Sequence, residues 1–95
     1  MPVKFNLGLT STFERKFHIL TKRDPLLQER LLKLVNILRE DPYNLSKQHD
    51  IKKLTDAPIE EGQWRIRSGN YRIRYNIFQS EVVLYSVAHR KNSYS

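Results

Sequence analysis

From Trp64 to Tyr75 the chain reads Trp-Arg-Ile-Arg-Ser-Gly-Asn-Tyr-Arg-Ile-Arg-Tyr, an alternation of apolar and cationic side chains interrupted by Ser68-Gly69-Asn70. Period two is the mark of a strand with two unlike faces, and a Gly-Asn pair between two such runs is hairpin-turn chemistry. With Gly69-Asn70 as the turn, Arg67 pairs with Arg72, Ile66 with Ile73, Arg65 with Arg74 and Trp64 with Tyr75. Trp64, Ile66, Ile73 and Tyr75 then share one face, and the other carries the guanidinium groups of Arg65, Arg67, Arg72 and Arg74. Like charges placed directly opposite destabilise a hairpin by roughly several tenths of a kcal/mol per pair. Neither strand offers a carboxylate to compensate, so an external counter-anion is the simplest remedy.

The hairpin belongs to a longer meander. Gln63 to Arg67, Tyr71 to Phe78 and Glu81 to His89 read as three antiparallel strands, with Gln79-Ser80 as the second turn. The last of them, nearly continuous in apolar residues from Val82 to Ala88, is expected to be central and covered on both faces. Carrying the pairing through Gln79-Ser80 places Val83, Tyr85, Val87 and His89 on the arginine face.

Upstream, Val3, Phe5 and Leu7 alternate with polar residues and predict a first strand. Ser11 and Glu14 have capping-box spacing, and Phe13, Phe17 and Leu20 recur at helical intervals, predicting a helix over 11–21 with Lys22-Arg23 at its negative end. Asp24-Pro25 reads as the N-cap and first residue of a second helix, whose stripe is Leu27, Leu31, Leu34, Val35 and Leu38 and whose end is Asp41-Pro42. So short a link makes the two helices an antiparallel hairpin. Leu26, Leu32 and Ile37 lie off the stripe and offer a second surface. Residues 43–61 read as a loop with a brief edge strand at Ile51–Leu54, where Lys52-Lys53 serve as gatekeepers against edge pairing or as part of a basic surface. The order β-α-α-β-β-β-β predicts an α+β fold, a helical hairpin packed on a twisted, mainly antiparallel sheet.

A chain of 95 residues without repeats or low-complexity linkers allows one domain, spanning 1–95. The absence of cysteine excludes disulfides, thiolate catalysis and Cys-ligated zinc or iron–sulfur centres. His18 and His49 have no partner at ligand spacing, so neither a metal nor another cofactor is expected. Lysine and arginine total 17 against 10 acidic residues, a net charge of +7, and residues 62–95 hold six of the cations but only one acid. Polyanionic partners are favoured. With no uncharged apolar run of about 18 residues, no membrane role and a cytoplasmic location are expected. Past the last strand, Arg90, Lys91 and Tyr94 add two cations and a phenol at the edge of the patch. Trp64 and Tyr71 read as packing residues rather than stacking platforms. A lone strand arginine is ordinarily a solvated residue; four on one face carry more information.

The Trp64–Tyr75 run, followed by an apolar strand ending in Ala88-His89-Arg90-Lys91 and a tyrosine four residues after Arg90, resembles the RelE/ParE superfamily of toxins from toxin–antitoxin systems, its RelE-like branch most closely. The resemblance covers essentially the whole chain. It implies the RelE-like microbial RNase toxin fold and a ribosome-dependent messenger RNA endoribonuclease (an mRNA interferase). Such an enzyme acts in the decoding site, beside 16S rRNA, and is silenced by an acidic RelB-like antitoxin. Position by position, Arg72, Arg90 and Tyr94 match residues that branch uses in catalysis, and Arg65 falls where it often has a basic residue. Gln63 departs from the pattern, which has a further lysine nearby.

The implied reaction suits these side chains. Attack of a ribose 2′-OH on its own 3′-phosphate requires loss of a proton, protonation of the leaving 5′-oxygen and stabilisation of added charge on phosphorus. Arg72 and Arg65 are assigned to phosphate and transition-state charge, Arg90 to phosphate or leaving group, and Tyr94 or His89 to proton transfer. Lys52, Lys53, Arg67, Arg74 and Lys91 are assigned to the RNA backbone. No carboxylate base is expected on this face. The competing expectation is a ParE-like inhibitor of DNA gyrase with the same fold and no nuclease activity, which would not need the arginine hairpin and terminal tyrosine. A plain RNA-binding module is disfavoured by the scarcity of exposed aromatics on the sheet.

Overall fold

The structure, a computed structural model, describes residues 4–90. Its elements are β1 (Asn6–Leu9), α1 (Ser11–Thr21), α2 (Pro25–Glu40), β2 (Ile51–Lys53), a 3₁₀ turn (Ile59–Glu61), β3 (Trp64–Ser68), β4 (Tyr71–Phe78) and β5 (Glu81–His89). The strands form one sheet in the order β1-β5-β4-β3-β2. Between β3 and β4 the register is the expected one, Trp64 opposite Tyr75, Arg65 opposite Arg74, Ile66 opposite Ile73 and Arg67 opposite Arg72. β2 joins β3 antiparallel at one edge, whereas β1 pairs parallel with the first half of β5 at the other. The two helices and three strands between β1 and β5 supply the crossover that a parallel pair needs. The sheet is therefore mixed, and β5 lies inside it.

Local chemistry explains the boundaries. Gly69 takes φ +59° while Asn70 is not left-handed, the pattern of a type II′ turn, in which only the first central residue needs positive φ. Gln79 takes φ +54° in the second turn. β1 starts at Asn6, later than the alternation suggested; Phe5 precedes it with its N–H on Arg39 O, and Val3 lies outside the described residues. The cap of α1 is Thr10 rather than Ser11: Thr10 Oγ1 accepts from Phe13 N at 3.1 Å and donates to Tyr85 O, tying the helix start to β5. Asp24 caps α2 as expected, its Oδ1 accepting from Leu27 N, with Pro25 in the first turn.

Both helices lie on the face that carries Ile66, Ile73 and Tyr75. Phe13 of α1 and Leu27, Leu31, Leu34, Val35 and Leu38 of α2 form one buried cluster with those residues and with Val82, Leu84 and Val87. Burying each large aliphatic side chain stabilises the fold by about 1.5–3 kcal/mol, so this seam is what holds the helical hairpin to the sheet. Tyr75, fully buried, donates its hydroxyl to Pro42 O at 2.8 Å, which anchors the end of α2 to β4. Trp64 packs on the same side, its ring near Tyr75 and Tyr43.

One irregularity changes which residues share a face. Arg74 stands opposite Ser86 but Tyr75 stands opposite Leu84, so Tyr85 is an extra residue in β5, a β-bulge. Val82 and Leu84 face the helices before it and Val87 after it, all at most 1% exposed. The expected placement of Val87 and His89 on the arginine face is thus incorrect: each inserted residue reverses the alternation beyond it.

Candidate functional site

The face away from the helices carries two cross-strand rows. Lys52, Arg65, Arg74 and Ser86 stand in register across β2, β3, β4 and β5. In the next row Arg67, Arg72 and Ala88 are neighbours. Residues opposite one another in adjacent strands have Cβ atoms about 5 Å apart, so the arginines form a contiguous block. Arg90 leaves β5 at the end of the second row, its N–H donating to Asn70 O beside the hairpin turn. This brings Arg67, Arg72 and Arg90 to one end of the sheet.

Two devices hold the block in place. Asp50, just before β2, accepts from Arg67 Nε at 2.8 Å and places its other oxygen 3.5 Å from Arg65 Nη2. The expectation that only an external anion relieves the arginines is therefore corrected: the carboxylate comes from Asp50, outside both strands of the hairpin. At the other end, the loop containing the 3₁₀ turn folds over the sheet. Gly62 O accepts from Arg74 Nε at 3.1 Å and from Nη2 at 2.7 Å. Buried Asn76 accepts from Gln63 N and donates to Ile59 O, so its amide clamps the same loop on both sides. Gly62 sits at φ +88° against β4, where a Cβ would come within 2.8 Å of Tyr75 N. Between this loop and the start of α1 lies a cavity of about 480 Å³ lined by Thr12, Lys16, Ile59, Glu60, Arg74, Tyr85 and Ser86, among others. Tyr85 thus reaches the arginine side of the sheet, as expected.

Other expected site residues are placed elsewhere. His89 pairs with Tyr71 on the helix side, with its ring edge-on at 5.0 Å, and lines a small pocket with Ile19 and Leu20 of α1. It is turned away from the arginines. Lys53 stands opposite Trp64 with Nζ 5.8 Å from the ring, so of the two lysines only Lys52 joins the rows. Tyr75 is also on the far side; burial first, and then Asp41, push its phenol well above the ordinary range, only partly offset by Arg65. Lys91 and Tyr94 lie outside the described residues.

Asp50, Gly62 and Asn76 were not foreseen. A signal existed for Asp50, which stands two residues before Lys52 and so shares its face wherever the strand alternation extends. Gly62, next to a strand start, is the kind of isolated glycine that marks close backbone approach. Nothing local marks Asn76, whose partners arrive from a loop 13 and 17 residues away.

Among the described residues no helix is long and apolar enough to cross a membrane, and no group of three or more His, Asp or Glu side chains is gathered for a metal ion.

Residues 9–94 match the family described as the ParE toxin of the type II toxin–antitoxin system parDE. No curated protein matches the chain. Solved structures do. A chain of the RelBE2 toxin–antitoxin complex from Mycobacterium tuberculosis superposes with a TM-score of 0.69 at 23% identity, covering 93% of this chain and 100% of that one. A chain of the archaeal RelE–RelB complex from Pyrococcus horikoshii gives 0.68 at 20% identity, covering 95% and 99%. One from the RelB–RelE antitoxin–toxin complex of Methanococcus jannaschii gives 0.64 at 26% identity, covering 92% and 94%. The helical hairpin on a five-stranded mixed sheet is the fold these structures share, and the match over nearly the whole sequence makes the chain a member of the ParE toxin family of type II toxin–antitoxin systems, within the RelE/ParE superfamily.

Proposed function

We propose that this toxin is a ribosome-dependent endoribonuclease that cuts messenger RNA by attack of a ribose 2′-OH on the adjacent phosphate. The observation that carries the proposal is the pair of cationic rows on the sheet face, joined by Arg90 at the hairpin end. Fixed guanidinium groups suit a reaction whose main demand is stabilising charge on phosphorus. In this reading Arg72 and Arg65 hold the scissile phosphate, Arg90 faces the phosphate or the leaving oxygen, and Tyr94 moves the proton. Lys52, Arg67, Arg74 and Lys91 follow the RNA backbone. With His89 on the far side, Tyr94 is the better of the two proton carriers. An acid–base set this sparse is weak unless its substrate is oriented for it, which favours the decoding site, with 16S rRNA, as the place of action.

The partner that restrains it is an acidic antitoxin of the RelB kind. The structural neighbours come from toxin–antitoxin complexes, and a net charge of +7 favours an acidic segment that folds on binding.

The match to the ParE family favours a second reading, inhibition of DNA gyrase without cleavage. Purified toxin incubated with programmed ribosomes, with naked RNA and with gyrase plus relaxed plasmid separates the two. Rapid cleavage on ribosomes, slow cleavage of naked RNA and undisturbed supercoiling are expected. Blocked supercoiling with intact messenger RNA would replace the nuclease with the gyrase inhibitor.

A further inference from the structure

The Asp50 carboxylate lies between two of the cations proposed to meet RNA. Its Oδ2 accepts from Arg67 Nε at 2.8 Å, its Oδ1 is 3.5 Å from Arg65 Nη2, and its main-chain carbonyl accepts from Arg67 N at 2.9 Å. Two contacts to one residue, one from the backbone, fix the carboxylate relative to β3. The Arg65 side chain is 12% exposed, whereas those of Asp50 and Arg67 are 46% and 48% exposed. One end of the bridge is therefore shielded and the other open to solvent.

Opposite demands meet at this group. Without RNA, Arg65 opposes Arg74 and Arg67 opposes Arg72, and a carboxylate beside them relieves the repulsion and restricts where the guanidinium groups point. With RNA present, the same negative charge stands within reach of the incoming phosphate and opposes it. A general-base role fits poorly, because each carboxylate oxygen already faces a guanidinium group, Oδ2 that of Arg67 and Oδ1 that of Arg65.

We propose that Asp50 is a positioning residue, a built-in counter-anion that aims Arg65 at the scissile phosphate and Arg67 at the adjoining RNA backbone, at the expense of affinity for RNA. The proposal rests on the nuclease reading of this face. Its signature is a split that a purely structural residue would not produce: removing the charge tightens RNA binding yet slows cleavage.

The test uses the full-length toxin with Asp50→Asn, Asp50→Ala and Asp50→Glu. Binding is measured with a 2′-O-methyl oligoribonucleotide, which cannot be cut, over a range of salt. Cleavage is measured under single-turnover conditions on programmed ribosomes, beside a melting curve for each variant. Asn and Ala should bind the oligonucleotide roughly three- to tenfold more tightly. The plot of log affinity against log salt should steepen by about 0.7 for each cation released to a phosphate. Glu, which keeps the charge, should leave affinity unchanged. The maximal cleavage rate should fall by about tenfold in Asn, which retains an acceptor for Arg67 Nε, and by up to about a hundredfold in Ala. Unchanged affinity and salt slope in Asn and Ala would overturn the proposal. So would a parallel loss of melting temperature, binding and rate, which would mark Asp50 as a brace for the sheet edge. Should the wild-type toxin cut nothing on ribosomes, the nuclease reading falls and aiming for catalysis falls with it, while the binding series still decides whether Asp50 opposes a polyanion.

Discussion

Gly62→Ala tests how the loop holds the arginine face. The residue has φ +88° and ψ 123°, a combination open essentially to glycine, and its new Cβ would lie 2.8 Å from Tyr75 N and 3.0 Å from the Arg74 carbonyl carbon. Both are backbone atoms of a central strand and cannot swing aside. Backbone strain of about 1–3 kcal/mol and overpacking of about 1–3 kcal/mol together make a loss of about 3 kcal/mol the reasonable expectation. For a domain of this size each kcal/mol lowers the melting temperature by about 4–8 °C, so the midpoint should fall by roughly 12–24 °C. The carbonyl that accepts both Arg74 hydrogen bonds shifts with the loop, so cleavage by the folded fraction should also decline. Gly8→Ala is the control, since the nearest atom to its added Cβ is Glu81 Oε2 at 3.3 Å, the movable end of a surface side chain. Its cost should stay below about 1 kcal/mol. Calorimetric melting of both variants decides the matter, and a Gly62→Ala midpoint within a few degrees of the Gly8→Ala value would refute the close-approach account.

Further outcomes concern acid and alkali. Asp41 is partly desolvated, which alone would raise its pKa, but hydrogen bonds from Ser46 Oγ and from the Leu45 and Ser46 N–H groups, with His49 at 3.9 Å, outweigh this and hold it below the ordinary 3.8. A depressed carboxyl contributes stability that is present above its unfolded pKa and lost as pH falls through the folded one. Asp41→Asn should therefore flatten the fall in melting temperature below about pH 4, and an identical acid limb in mutant and wild type would contradict this. For Tyr75 the sign reverses: its folded pKa lies above the usual 10.0, so its contribution is full below that value and lost as pH rises beyond it. Tyr75→Phe, which also leaves Pro42 O without its donor, should cost about 1–3 kcal/mol near neutral pH and remove part of the alkaline loss; denaturant titration at two pH values checks both.

The β3–β4 register was legible because two independent signals agree on it, the alternation of Arg with Ile and the Gly69-Asn70 turn. Helix α2 was legible for a similar reason, its leucine stripe agreeing with Asp24-Pro25 at one end and Asp41-Pro42 at the other. The bulge at Tyr85 was not. In a strand as apolar as Val82–Ala88 both faces look alike, so an inserted residue leaves no trace in the pattern, and His89 was assigned to the wrong side. Asp50 was half legible: its parity with Lys52 is in the sequence, but the pairing of β2 with β3 that brings it to Arg65 and Arg67 is a tertiary event. The clamp of Asn76 on the 59–63 loop belongs to the same class, since a buried amide is chosen for partners that only the folded chain brings near. The N-cap of α1 moved by one residue because Thr10, unlike Ser11, can also donate to Tyr85 O.

The central claim is that the arginine face is a nuclease site, and single-turnover cleavage of messenger RNA on programmed ribosomes by Arg72→Ala and Tyr94→Phe, beside melting curves, tests it most directly. Arg72 does not belong to the buried cluster and Tyr94→Phe removes a single hydroxyl, so the midpoints should stay within a few degrees of wild type. Losing a guanidinium aimed at the developing charge should slow cleavage by about a hundred- to thousandfold, roughly 2.7–4 kcal/mol of barrier. Losing the phenol hydroxyl should slow it by about a hundredfold or more if it transfers a proton. Full cleavage by both folded variants would contradict the account.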